Sequence, residues 1–138
     1  MEKKLRVGVI GTGYVAKNNF LPVLACTEDI DFVGVMAKNP EHAEFAAKHY
    51  GAQHAVDSIE KLVDLGLDCA FVLTPKAVHA EQVSFLMNHG VHTYSEKPMA
   101  TTLRDCAAVA ELPEKTGKKL MIGFNRRFAP VVTAAKEA

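Results

Sequence analysis

The chain has 138 residues, enough for one domain with a real core. It is 49% hydrophobic and carries 16 basic against 16 acidic side chains. A formal charge of zero gives no reason to expect nucleic acid or an acidic membrane surface as a partner. No apolar run is long enough to span a bilayer, and Gly8, Gly11 and Gly13 break the apolar stretch near the start, so no signal peptide is expected. The three cysteines, Cys26, Cys69 and Cys106, are far apart and odd in number, which fits reduced, mostly buried thiols in a cytoplasmic protein.

Strand and helix patterns alternate along the whole chain. Leu5–Ile10 is predicted as the first strand, and Tyr14–Cys26 as the first helix, kinked or made irregular by Pro22. Asp31–Met36 follows as a strand apolar enough to be buried on both faces. Asn39 can cap the next helix with Pro40 in its first position; Ala43, Ala46, Ala47 and Tyr50 share one face, and Gly51 stops it. An edge strand is expected around Gln53–Val56. Asp57-Ser58-Ile59-Glu60 has capping-box spacing and should open a short helix to about Val63. Asp68–Leu73 is a buried strand ended by Thr74-Pro75. Val78–Asn88 is a helix closed by Gly90, and Val91–Ser95 the next strand. Thr102–Thr116 is expected as one helix capped by Thr102, bent or shortened by Pro113 and stopped near Gly117. Leu120–Phe124 is a last strand, and Pro130 begins a helix towards Ala138. Strands separated by helices through short connections imply an α/β fold: a doubly wound parallel sheet in three α/β/α layers. Ligands of such sheets sit outside the carboxyl ends of the strands, so the residues just after each strand deserve the closest reading.

After the first strand comes Gly11-Thr12-Gly13-Tyr14-Val15-Ala16, a G-x-G-x-x-A form of the dinucleotide-binding fingerprint. Gly11 turns the chain off the strand, Gly13 lets a pyrophosphate approach the backbone beside Thr12, and Ala16 permits close helix packing. The amides near Tyr14 and Val15 would then face the phosphates. After the second strand comes Ala37-Lys38-Asn39, where an NAD site usually places a carboxylate against the ribose 2′-hydroxyl. Ala37 removes that charge, and Lys38 with Asn39 could take a 2′-phosphate, so NADP is expected over NAD; the plain alternative is a solvated loop lysine. After the next strand, Thr74 and Pro75 can shape a wall of the ribose region, while His79 either touches the cofactor or simply occupies the first helical turn. After Tyr94-Ser95 comes Glu96-Lys97-Pro98. A buried Glu-Lys pair here would let Lys97 exchange a proton with a substrate hydroxyl, its basicity tuned by burial and by Glu96; an exposed ion pair is the plainer reading. His89-Gly90-Val91-His92 straddles a helix end and a strand start, so its rings should not converge, and no metal is expected.

In this order, Gly11 to Ala16, Thr74-Pro75 with His79, Glu96-Lys97-Pro98 and Gly123-Phe124-Asn125-Arg126-Arg127-Phe128 resemble the Gfo/Idh/MocA oxidoreductases, over essentially the whole chain. The resemblance implies a Rossmann-type dinucleotide-binding domain over 1–124, with 125–138 beginning a crossing segment and helix towards a second α/β domain. It implies that Lys97 helps bind the cofactor and assists proton transfer as nicotinamide C4 gains or loses hydride. By the same resemblance Glu96 and Pro98 shape the nicotinamide pocket, and Asn125 and Arg127 lie near nicotinamide and substrate. Substrates would be sugars, inositols or related polyols, and the full-length form a homo-oligomer. Family members take an Asp and a His from the second domain, and this sequence offers no residue for either role. A domain without that partner should expose apolar surface and self-associate. A non-catalytic module that holds or senses NAD(P), and a domain for some other phosphorylated ligand, are the competing readings.

Overall fold

A computed structural model describes residues 3–138. Six strands form one parallel sheet: β1 (Leu5–Ile10), β2 (Ile30–Met36), β3 (His54–Val56), β4 (Cys69–Val72), β5 (His92–Ser95) and β6 (Leu120–Ile122). Their spatial order is β3-β2-β1-β4-β5-β6. The chain runs outward from β1 to β3, then returns to lay β4 on the other flank of β1. That reversal opens a crevice at the carboxyl ends of β1 and β4.

Helices cover both faces. The α1 helix (Leu21–Cys26) and α2 (Pro40–Tyr50) sit over a core that includes Val7, Val9, Ala16, Leu21, Phe32, Val35 and Ala46. On the opposite face, α3 (Ile59–Asp64), α4 (His79–Asn88), α5 (Leu103–Ala110) and α6 (Leu112–Thr116) enclose Ile10, Leu62, Val72, Val83, Leu86 and Val109. The period-2 alternation of β1 sends Val9 to one core and Ile10 to the other. Phe32 to Met36 are all buried, as the unbroken apolar run of β2 requires. A last helix, α7 (Pro130–Glu137), follows a 3₁₀ turn over Asn125–Phe128.

Several expected boundaries move. The irregularity expected from Pro22 lies before it: Ala16–Phe20 are π-helical, and Pro22 occupies the opening turn of α1, where its missing N–H costs nothing. Asn39 caps α2 through its side chain, which accepts from the Glu41 amide, and Gly51 closes the helix with φ +80°. The Asp57–Glu60 capping box does not form. Ser58 is the cap, accepting from the Lys61 amide, and Asp57 pairs with Lys61 instead. The stretch before His79 is a 3₁₀ turn, Lys76–Val78. Thr102–Thr116 is two helices, α5 and α6, divided at Glu111, with Pro113 in the opening turn of the second, where its missing N–H costs nothing. The last strand stops at Ile122. Cys26 is exposed and Cys69 and Cys106 are only half-buried, so the thiols are less enclosed than expected; all three are free. Among the described residues, no helix is long and apolar enough to cross a membrane.

Candidate functional site

At the carboxyl ends of β1, β2 and β4 lies a cleft of about 380 Å³. Its walls are Gly11, Thr12 and Gly13, then Met36, Ala37, Lys38, Asn39 and His42, then Leu73, Thr74, Pro75, Val78 and Gln82. Three segments remote in sequence thus meet where the strand order reverses. Gly11 holds φ +99°, and a Cβ there would lie 2.9 Å from the Leu73 carbonyl group, so the turn admits glycine alone. At Gly13 a Cβ would meet nothing within 4 Å, so the lip is open towards solvent and a phosphate can approach it. Lys17 donates its amide to the Gly13 carbonyl, which leaves the preceding amides of Tyr14 and Val15 without a partner inside the helix. The donor set fits an anionic bridge. The side chain of Tyr14 is 81% exposed and, like Val15, does not line the cleft; these two residues can contribute through backbone only.

The lining residues include two ionisable side chains, Lys38 and His42, and no carboxylate. Ala37 is buried, with its amide donated to the Val56 carbonyl, so β3 fixes the backbone where a carboxylate would otherwise stand. Asn39 spends its amide oxygen on the α2 cap, which leaves its NH₂ for a ligand. Sequence reasoning stopped at Asn39 and missed His42. The signal was present, since a residue three positions after the cap lies in the first helical turn, on the side of the strand end. Gln82 was also missed; its side-chain oxygen accepts from the Thr74 hydroxyl at 2.6 Å and holds that wall.

His79 is 1% exposed and does not line the cleft, so the expectation of a cofactor contact gives way to a buried role. Its Nδ1 lies 2.8 Å from the Pro98 carbonyl oxygen and its Nε2 2.8 Å from that of Thr74.

The expected buried Glu96-Lys97 pair is not formed. Lys97 is exposed, and the Glu96 carboxylate accepts from the Tyr94 hydroxyl at 3.0 Å and from the Lys97 backbone amide at 3.3 Å. The cause is geometric: side chains alternate along β5 into the loop, so Tyr94 and Glu96 share a face that Lys97 leaves. Tyr94 packs against Phe20, ring centroids 5.3 Å apart, and Phe71, 5.4 Å apart. Burial, then the bond to Glu96, pushes its hydroxyl up to about 12. Lys97 instead faces a second, shallower cavity of about 350 Å³ shared with Gly123, Phe124, Asn125, Arg126 and Arg127. The structure therefore brings Lys97, Asn125 and Arg127 together, while Glu96 and Pro98 line neither cavity and stand behind Lys97. The Lys97–Pro98 peptide bond is cis. His89 and His92 are engaged separately, His89 with the Phe85 carbonyl and His92 by accepting from the Lys119 amide.

The family described as "Oxidoreductase family, NAD-binding Rossmann fold" (Gfo/Idh/MocA) matches residues 5–124. Two curated relatives come from Bacillus subtilis (strain 168). The scyllo-inositol 2-dehydrogenase (NADP(+)) IolU is 32% identical over 127 residues, covering 91% of this chain and 38% of the relative. A scyllo-inositol 2-dehydrogenase (NAD(+)) is 28% identical over 137 residues, covering 99% and 40%. A crystal structure of a dehydrogenase (MviM) from Clostridium difficile superposes with a TM-score of 0.88 at 36% identity, covering 98% of this chain and 44% of that one. The chain thus spans about two fifths of the length of the proteins it matches. With the fingerprint, the strand order and the cleft all in agreement, the chain belongs to the Gfo/Idh/MocA oxidoreductase family and is an NAD(P)-binding Rossmann domain.

Proposed function

We propose that this domain binds NADP in preference to NAD. We further propose that an enzyme carrying it moves hydride between nicotinamide and a CH–OH group of a sugar, inositol or related polyol. The observation that carries the cofactor reading is the cleft wall after β2, where Lys38 and His42 stand without a carboxylate. A 2′-phosphate brings about −1.5 to −2 charges, by analogy with other phosphomonoesters, which such a wall attracts and an Asp would repel. Relatives of both cofactor types exist, so the choice rests on these residues. Gly11, Thr12 and Gly13 would hold the pyrophosphate, Thr74 and Pro75 the ribose side, and Lys97 with Asn125 and Arg127 the nicotinamide and substrate side. The bound nicotinamide supplies the hydride acceptor or donor. Lys97 takes the hydroxyl proton as the alcohol is oxidised and returns it in the reverse direction. Its exposure leaves the side-chain nitrogen free to reach a substrate, and Arg127 in the same cavity suits an oxygen-rich ligand. Residues 125–138 then form the exit from the Rossmann unit at 1–124 towards substrate-binding structure, and a homo-oligomer in the cytoplasm is the expected setting.

Fluorescence titration with NADPH and NADH tests the cofactor half. NADPH should bind more tightly, Ala37→Asp with Lys38→Ala should reverse the preference, and His42→Ala should weaken NADPH about three- to tenfold while sparing NADH. An unchanged preference in the double variant would refute the 2′-phosphate assignment. For the chemical half, the domain joined to the remaining length that its relatives carry should turn over a polyol, and Lys97→Ala should lower kcat about 10²- to 10⁴-fold. Full turnover in that variant removes Lys97 from the mechanism. Cofactor binding with no turnover of any polyol favours the non-catalytic module.

A further inference from the structure

Gln82 lines the cofactor cleft from α4 and is half-buried. Among the described residues its side chain makes one hydrogen bond, to the Thr74 hydroxyl at 2.6 Å. A primary amide offers two N–H donors and an oxygen with two lone pairs, and the Thr74 bond uses one of these four. Whichever way the amide is turned, at least one donor and one acceptor remain side by side at the cleft wall.

The surroundings suit a flat base. Met36, Leu73, Pro75 and Val78 give the same cleft an apolar lining, and Val78 and Gln82, four residues apart, both reach it where the chain enters α4. A purine has two apolar faces and a polar rim, so apolar walls take its faces while a donor–acceptor pair reads its rim. The other polar side chains of the cleft stand apart from Gln82 in the chain. Thr12 belongs to the glycine lip, and Lys38, Asn39 and His42 follow β2. The 2′-phosphate proposed for the β2 wall is carried on the ribose carbon next to the one that bears the base. A phosphate at Lys38 and His42 therefore brings the base into this cleft as well.

We infer that Gln82 selects adenine as the base of the cofactor. Its amide accepts from the amino group of the base and donates to a neighbouring ring nitrogen, while the bond to Thr74 holds the side chain against the wall. A primary amide matches adenine in this way because each partner offers one donor beside one acceptor. The assignment rests on the reading that NADP(H) fills the cleft. A glutamine that only braced Thr74 would be blind to the identity of the base, and that difference sets the test.

Fluorescence titration of the chain with NADPH, and with the analogue that carries purine in place of adenine, reads the base directly. The analogue lacks the amino group and nothing else. The unmutated chain should bind NADPH about three- to tenfold more tightly than the analogue. Gln82→Met keeps the length of the side chain and removes the amide. It should weaken NADPH about tenfold and bring the two ligands within about twofold of each other. Equal binding of the two ligands by the unmutated chain overturns the assignment and leaves the cofactor reading intact, and no variant has to fold for this result. A preference that survives Gln82→Met undiminished, whatever the loss of affinity, leaves Gln82 as a brace for Thr74 and overturns the assignment too. If the unmutated chain binds neither ligand, the cofactor reading itself fails, and this assignment fails with it.

Discussion

Tyr94 shows how one hydroxyl can organise a candidate site without entering it. Its bond takes up the Glu96 carboxylate that would otherwise be free to pair with Lys97, and the Phe20–Phe71 cluster keeps the ring in place. On the far side, a Cβ at Gly123 would collide with the Tyr94 hydroxyl and come within 3.1 Å of the Glu96 carboxylate. Gly123→Ala should therefore destabilise the fold by about 1–3 kcal/mol, and removing the hydroxyl in the same chain with Tyr94→Phe should recover part of that loss. Urea unfolding of the two single variants and the double variant measures the coupling; simple additivity would show that the two residues do not interact. The raised Tyr94 ionisation has a definite sign. The folded state keeps its proton to about pH 12 while the unfolded chain loses it near the ordinary 10, so the contribution is intact below 10 and declines as pH climbs between those values. Tyr94→Phe should flatten that alkaline decline. The sequence could not show this arrangement. It placed Glu96 beside Lys97 and suggested a pair, but the pleat sends adjacent side chains to opposite faces, and only the packing of Phe20 and Phe71 shows which face Glu96 joins.

At the scale of elements, the strands were legible because apolar runs bounded by glycine, proline and capping residues are local signals. Helix continuity was less so. Thr102, Asp105 and Gly117 mark a start and an end correctly, yet the residues between them do not announce that the chain breaks at Glu111. Pro113 permits either a bend or a restart, and burial of both Val109 and Leu112 against the α4 side selects the restart. The same contrast holds in the site. The walls after β1, β2 and β4 follow from strand ends alone, whereas His42 and Gln82 enter from neighbouring helices and depend on packing. The Thr102 cap lies apart from both cavities, with its hydroxyl accepting from the Asp105 amide at 3.1 Å and donating to the Asp105 carboxylate at 2.7 Å. Thr102→Ala should cost about 1 kcal/mol of stability and leave NADPH affinity unchanged. Thermal unfolding and titration on the same sample check both halves, and an altered affinity would mean that α5 is coupled to the cleft.

For the molecule as a whole, the reversal between β1 and β4 puts the candidate ligand site on the seam between the two halves of the sheet. A ligand seated there touches β1, β2 and β4 termini at once and so bridges both core clusters. Phe124, Phe128 and Val131, all at least half exposed, lie beyond the last strand. Because the cleft forms only when all three strand ends are assembled, cofactor should bind the folded chain and not the unfolded one. Stability must then rise with free ligand as RT ln(1 + [L]/Kd), about 2.7 kcal/mol at a hundredfold excess over Kd. A thermal melt should shift upward by several degrees in saturating NADPH, and at equal concentration by less in NADH. The shift should shrink for Ala37→Asp with Lys38→Ala, and persist in Thr102→Ala from its lower baseline. A melt indifferent to both nucleotides would place the ligand elsewhere than this seam, whatever the fold.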